Sequence, residues 1–157
     1  MTEDAITDAT VSSERRVLRM WVRTSQGETP DERDVLRLIA DEGVLDDHKR
    51  GGKRHVTLFF EDDWAEAERA LGSEVDPVGR RANIFLSGGD GASLIGKTVR
   101  LGETVIDIQL ETAPCDVMNA AAAGLEEALK PNCRAGVWGL VREGGDVRAG
   151  DELTVRE

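Results

Sequence analysis

Short apolar runs separated by glycine-rich turns dominate this chain and predict a fold built mostly from strands. In residues 15–24, apolar side chains occur on both faces of the predicted strand, so we expect neighbours to cover both sides. Gly102-Glu103 is expected to turn one hairpin and Gly144-Gly145 a second. The predicted strands are residues 15–24, 55–60, 82–87, 98–101, 104–110, 136–143, 146–148 and 152–156.

Helical periodicity is clear in two places. Residues 62–71 place their apolar side chains on one face, and Gly72 is expected to end that helix. A second helix is predicted over residues 116–130, with Asp116 as its N-cap and with Gly124 weakening its middle. These two helices are too few to alternate with the strands in a doubly wound fold.

The number of strands favours a mainly β (α+β) barrel with two or three short helices. Residues 30–42 fit a helix stripe and a strand alternation equally well, so both interpretations stay open. Residues 1–14 are acidic and show no apolar period, which predicts a flexible tail. The remaining residues, 15–157, have the length of one domain.

The overall charge narrows the range of partners. Twenty Lys and Arg against 31 Asp and Glu give a net charge of −11, which argues against nucleic acid and against anionic membranes. No apolar run approaches the ~20 residues that cross a bilayer. The acidic N-terminus predicts no export signal, and two cysteines are too few for a disulfide framework. A cytoplasmic protein with reduced thiols is therefore expected.

Several cationic residues stand beside predicted strand ends or turns of this acidic chain: Lys53, Arg54, Arg80, Arg81 and Arg134. An acidic protein that binds a phosphorylated ligand needs such a local exception to its own negative field. The alternative is that each of these side chains neutralises a nearby acid. The sequence leaves both interpretations open.

Cys115 is the strongest candidate for chemistry, because it lies between a long predicted strand and the start of the second predicted helix. Unpaired N–H groups at a helix start favour a thiolate, although a half-buried structural thiol remains the alternative. Cys133 is either incidental or a resolving thiol for Cys115. His48 and His55 lack a partnering cysteine pair, which argues against a zinc site and for surface positions.

An ordered series of segments resembles the MOSC domain, the module named after the C-terminal domain of molybdenum cofactor sulfurase. These segments are G-V-L-D-D-H-K-R-G-G-K-R-H-V-T-L, R-R-A-N-I-F-L-S-G, S-L-I-G-K-T-V-R-L-G-E-T-V-I-D-I, A-P-C-D-V-M and R-A-G-V-W-G-L-V-R-E-G-G-D-V-R-A-G-D-E-L. The resemblance covers residues 15–156. It is expected to mark a standalone member without the N-terminal extension of longer relatives.

The resemblance implies a β-barrel and a role for the family's hallmark cysteine, which falls on Cys115. In the family this residue binds molybdenum or carries sulfur as a persulfide. The implied cofactor is molybdenum bound to molybdopterin, and pyridoxal phosphate would belong only to a partner desulfurase. The residues implied to line the site or to contact an anionic cofactor are Asp47, Arg54, Arg81, Asn83 and Arg134.

Three functions follow from this resemblance. The first is a sulfur carrier or molybdopterin-binding protein, working with a cysteine desulfurase. The second is a molybdenum-dependent reductase of N-hydroxylated compounds, working with an electron-transfer partner. Many relatives have Arg-Glu-Asn where this chain has Arg81-Ala82-Asn83, so a reductase that needs the glutamate is disfavoured. The third is a non-catalytic binding barrel in which Cys115 only packs.

Overall fold

A computed structural model describes residues 14–25 and 28–156, which form eleven strands, two α-helices and four 3₁₀ helices. The predicted tail lies outside the described residues except for Glu14. The strands are β1 (Arg15–Val22), β2 (Asp31–Glu32), β3 (Val35–Ile39), β4 (Gly43–Val44), β5 (Val56–Phe60), β6 (Ile84–Leu86), β7 (Thr98–Leu101), β8 (Thr104–Glu111), β9 (Val137–Glu143), β10 (Gly145–Arg148) and β11 (Glu152–Val155). The α-helices are α1 (Glu61–Leu71) and α2 (Leu125–Leu129), and the 3₁₀ helices are Pro77–Arg80, Gly91–Leu94, Asp116–Ala120 and Pro131–Cys133.

Seven of these strands close into a barrel in the order β1, β11, β7, β8, β9, β5, β6 and back to β1. The neighbouring strands are antiparallel except for β5 and β6, which run parallel. A parallel pair needs a crossover between its strands, and α1 lies in that connection. The predicted mainly β barrel with few short helices is confirmed.

Strand β5 shows how the sequence builds two layers of core. All five of its residues are buried. Val56, Leu58 and Phe60 belong to the apolar cluster to which every barrel strand contributes, whereas Phe59 belongs to a second cluster shared with α1 and α2. Because both faces are covered, the strand is apolar almost without interruption. Thr57, the polar exception, turns its hydroxyl toward the site described below.

A small second sheet corrects one prediction and resolves another. Strands β10, β3 and β4 form this sheet, so the ambiguous residues 30–42 contain strands and no helix. The predicted hairpin across Gly144-Gly145 is wrong, because β10 pairs with β3. Strand β9 already has β5 on one edge and β8 on the other, so neither edge is open to β10.

The second predicted helix is also wrong in extent. Gly124 adopts a left-handed conformation, with φ of 88°, and breaks the segment into the 3₁₀ helix Asp116–Ala120 and the short α2. Cys115, in extended conformation, is the N-cap of the 3₁₀ helix in place of Asp116. The predicted end of the first helix is confirmed, because Gly72 is left-handed with φ of 84°.

Gly136→Ala tests how tightly β9 enters the barrel beside β5. Gly136 has φ of 103°, and a Cβ there would stand 2.1 Å from the Leu58 carbonyl oxygen. Strain and overlap together are expected to lower the free energy of unfolding by about 2–5 kcal/mol in chemical denaturation. Gly72→Ala is the control: it is also left-handed but meets no atom within 4 Å, so about 1–2 kcal/mol is expected. Equal losses in the two variants would contradict the packing argument.

Candidate functional site

A cavity of about 750 Å³ opens at the end of the barrel where β5 and β6 begin and β1 and β8 finish. Four stretches of chain line it: the residue after β1, the loop before β5, the residues before β6 and the segment after β8. Its lining is Arg23, His48, Lys49, Gly52, Lys53, Arg54, Thr57, Arg80, Arg81, Thr112, Ala113, Cys115, Val117 and Met118.

The lining is strongly cationic although the protein is acidic overall. Six of the lining side chains are Lys or Arg, and no Asp or Glu lines the cavity within residues 14–25 and 28–156. The chain as a whole carries a net charge of −11. A concave site walled by one sign of charge concentrates ligands of the opposite sign. The cavity therefore favours an anionic ligand.

Arg80 is the most deeply buried of these cations, with 4% of its surface exposed. Its Nε donates to the Ala135 carbonyl at 2.6 Å, and its Nη2 donates to Thr112 Oγ1 at 3.2 Å. Burial, followed by repulsion from Arg23, lowers the pKa of Arg80 to about 10. The guanidinium thus stays charged at neutral pH, and it holds that charge inside the cavity wall.

Cys115 is exposed and lines the same cavity. It follows the segment that leaves β8 and accepts a backbone hydrogen bond from Met118 at 3.1 Å. The long helix expected after it is absent, so the electrostatic surroundings of Cys115 are set by the cationic walls and not by a helix dipole. An exposed thiol in a cationic cavity can react with, or bind to, a soft electrophilic centre.

Comparison with protein-family models matches the MOSC domain over residues 46–154, which is more than half of the chain. This chain belongs to the MOSC domain family. The family is associated with the molybdenum cofactor. A comparison with curated proteins found no match.

Solved structures share this fold at low sequence identity. The YUAD protein from Bacillus subtilis has a TM-score of 0.75 and 17% identity, covering 89% of this chain and 94% of that one. YiiM from Geobacillus stearothermophilus has a TM-score of 0.73 and 13% identity, covering 91% and 75%. YiiM from Escherichia coli has a TM-score of 0.67 and 18% identity, covering 90% and 70%. These likenesses show the barrel fold.

A buried hydrogen-bond cluster lies behind the cavity of this MOSC domain. Asp47 Oδ2 accepts from Arg23 Nε at 3.1 Å and from Asn83 Nδ2 at 2.7 Å, and Asp47 Oδ1 accepts from the Lys49 backbone N–H at 3.0 Å. Asn83 Oδ1 in turn accepts from the backbone N–H and hydroxyl of Thr57. Burial alone would raise the pKa of Asp47, but the Arg23 charge and these hydrogen bonds hold it below 3.8.

The structure brings five of the six residues predicted for the site to the cavity or to its buried support. Cys115, Arg54 and Arg81 line the cavity, and the Arg54 guanidinium also lies 5.9 Å from the Trp138 ring centre. Asp47 is in the supporting cluster. The fifth, Asn83, belongs to the same cluster and is fully buried, so its amide faces Asp47 and not solvent.

Arg134, the sixth predicted site residue, does not line the cavity. Its Nη1 donates to the Ala128 carbonyl at 3.0 Å, which places it beside α2. Cys133 packs in the apolar cluster of the barrel, and burial raises its pKa to about 11. Cys133 thus lacks the exposure that a resolving thiol for Cys115 would need in the folded protein.

Sequence reasoning missed several residues at the cavity, among them Arg23, His48, Lys49 and Thr112. Arg23 resembled an ordinary polar position of an alternating strand, and nothing in the local pattern marks it as the partner of Asp47. His48 is exposed as predicted, but it also lines the cavity. The dense run of bases between Asp47 and Val56 was the available signal for it.

The side chains that line the cavity suit the phosphate of a phosphorylated metal cofactor, but they offer few ligands to its metal. Cationic walls suit a phosphate. In the described part of the chain, no three His, Cys, Asp or Glu side chains gather as ligands for a metal ion. Cys115 would thus be a single protein ligand, and the cofactor would have to bring its other ligands.

No described helix is long and apolar enough to span a bilayer.

Asp47→Asn tests the supporting cluster. A folded-state pKa below 3.8 means that the carboxylate stabilises the fold above that value and that this stability is lost as the pH falls through the folded-state pKa. At neutral pH the variant is expected to lose about 2–4 kcal/mol of unfolding free energy, since Arg23 loses its buried counter-charge. The loss should shrink below pH 3.8.

The control for this prediction is Asp46→Asn, an exposed neighbour with φ of 71°, a conformation that asparagine tolerates. Chemical denaturation at neutral and acid pH measures both variants. A loss in Asp47→Asn that does not depend on pH would show that its carboxylate charge is not what stabilises the cluster.

Proposed function

We propose that this MOSC domain binds a phosphorylated molybdenum cofactor of the molybdopterin class, with Cys115 as the single protein ligand to the metal. One observation carries the proposal: an exposed thiol shares its cavity with six Lys or Arg side chains and, among the described residues, with no carboxylate. Soft thiolates are the ligands that sulfur-bound transition metals prefer. The bound group would supply a molybdenum centre able to exchange oxygen, sulfur or electrons.

The residues in and behind the cavity would have different roles in binding the cofactor. Lys49, Lys53 and Arg54 are exposed and lie on the loop before β5, where flexible cationic side chains can reach a phosphate. Arg81 follows the 3₁₀ helix Pro77–Arg80 and also lines the cavity. Asp47 does not face the ligand; it holds the loop in place through its bonds to Arg23 and the Lys49 backbone.

Sulfur carriage by Cys115 is the second candidate, and the position of Cys133 favours it. A persulfide on Cys115 would persist only if no neighbouring thiol reduced it. Cys133 is buried in the barrel core, so it is not exposed to such a persulfide. In this chemistry the Cys115 thiolate attacks the outer sulfur of a desulfurase persulfide. A new sulfur–sulfur bond forms on Cys115, and the desulfurase cysteine leaves as a thiolate.

Cys115→Ser tests both candidates in protein purified from a molybdenum-replete host. The variant is expected to lose molybdenum in elemental analysis, or the added sulfur atom in intact mass, because the hydroxyl is a poor soft ligand and forms no persulfide. Cys133→Ala is the control and should keep the wild-type load. Molybdenum loss alone selects the cofactor proposal, and sulfur loss alone selects carriage.

Equal loading of wild-type protein and Cys115→Ser would remove both candidates. A wild-type protein without molybdenum and without added sulfur would also remove them, since the host supplies both elements.

Arg81→Asn tests the cationic wall separately from the thiol. Arg81 has φ of 60°, and asparagine accepts this left-handed conformation, so the backbone should be retained. Loss of one charge-assisted contact is expected to weaken cofactor retention about tenfold during dialysis, followed by molybdenum analysis. Arg50→Asn is the matched control: Arg50 lies on the loop before β5 and pairs with Glu42, but it does not line the cavity. Equal retention in both variants would exclude Arg81 from binding.

A further inference from the structure

Arg80 carries a buried positive charge that is not paired with any carboxylate of the described residues. Among the described residues, no Asp or Glu forms an ion pair with Arg80, and no carboxylate contributes to the shift of its pKa. Its hydrogen bonds use Nε and Nη2, and both acceptors, Ala135 O and Thr112 Oγ1, are neutral. Nη1 has no partner among residues 14–25 and 28–156. The Nη1 edge of the guanidinium is therefore available to a ligand.

Thr112 has the complementary feature. Only 4% of its surface is exposed, and its Oγ1 accepts from Arg80. A hydroxyl that accepts one hydrogen bond still has its own hydrogen to donate, and within the described residues that donor has no acceptor. Both Arg80 and Thr112 line the cavity of Cys115. Two nine-tenths buried residues thus bring a spare donor each to the same place.

Free energy explains why this arrangement points to a ligand. A buried charge that lacks a counter-charge destabilises a fold, so an anion that enters the cavity would stabilise the charge of Arg80. Arg80 remains protonated at neutral pH although burial lowers its pKa to about 10. An oxyanion satisfies both groups at once, because its oxygens accept from a guanidinium and from a hydroxyl.

We propose that Arg80 and Thr112 form an oxyanion subsite beside Cys115, which binds a phosphate-like group of whatever ligand occupies the cavity. The subsite deepens the proposed function, because it shares that cavity. It requires neither molybdenum nor a pterin, so it can be tested with an inorganic anion. A merely structural role, in which Arg80 only links Thr112 to Ala135, predicts that phosphate acts on the Arg80 and Thr112 variants as it does on the wild type.

The test measures alkylation of Cys115 by iodoacetamide in the protein without cofactor, in sodium phosphate and in sodium chloride of equal ionic strength. Phosphate bound beside the sulfur should slow alkylation of Cys115 and raise the melting temperature, whereas chloride should do neither to the same degree. Cys133, buried in the core, should stay unmodified in both salts. Intact mass after digestion assigns the modified cysteine.

Arg80→Met is expected to need about tenfold or more phosphate for half-protection, since it loses the charge-assisted bonds. Thr112→Val keeps the shape of the side chain and should show a smaller increase. Arg50→Met removes a charge that pairs with Glu42 outside the cavity, and it should behave as wild type. Should Arg80→Met fail to fold, Arg80→Lys keeps the charge without the planar fork and is expected to fall between wild type and Thr112→Val.

Two outcomes overturn the inference: phosphate protects the wild-type thiol no better than chloride, or Arg80→Met and Thr112→Val are both protected as well as wild type. The result is independent of the proposed function. Phosphate protection in a protein that purifies without molybdenum and without added sulfur would keep the subsite and reject the cofactor. A molybdenum-loaded protein without phosphate protection would do the reverse.

Discussion

The cluster of Asp47, Arg23, Asn83 and Thr57 is the constraint on which the cavity depends. It links the end of β1, the start of β5, the residue before β6 and the loop that carries the exposed cations of the cavity. The parallel pairing of β5 with β6 makes this geometry available, because it sets Thr57 beside Asn83. A single carboxylate thus accepts from two side chains and two backbone N–H groups, and it fixes where the cationic loop begins.

Charge segregation is the second organising feature of this MOSC domain. Elsewhere on the surface, arginines pair with acids, as Arg19 does with Glu32 and Arg142 does with Asp107. Exposed pairs of this kind add little stability, but they leave the net negative field in place. At the cavity, the carboxylate of Asp47 faces inward and accepts hydrogen bonds from Arg23 and Asn83. The contrast between surface and cavity would guide an anion to one place.

Patterning predicted most of the barrel because each strand carries its own signal. Residues 56–60 are apolar on both faces, and Gly72 marks the end of α1. Pairings between distant strands carry no such local signal, which is why the hairpin at Gly144 was predicted wrongly. Gly124 was recognised as a weak point, yet whether a glycine bends or breaks a helix depends on the packing around it.

The same contrast between local signals and contacts of distant segments applies to the candidate site. Cys115, Arg54 and Arg81 could be found because residue type and position near strand ends point to chemistry, and the family resemblance added Asp47 and Asn83. Arg23 could not be found, since its role comes from a carboxylate far along the chain. Arg134 has the right chemistry but sits beside α2, and only tertiary structure separates it from Arg81.

The burial of Cys133 has a consequence for the oxidation of Cys115. When a peroxide converts an exposed thiol to a sulfenic acid, a nearby second thiol usually captures it as an internal disulfide and prevents further damage. In this barrel the second sulfur is enclosed by aliphatic side chains and is held protonated. Rescue of an oxidised Cys115 must therefore come from a small thiol or another protein, and without one the oxidation proceeds to irreversible acids.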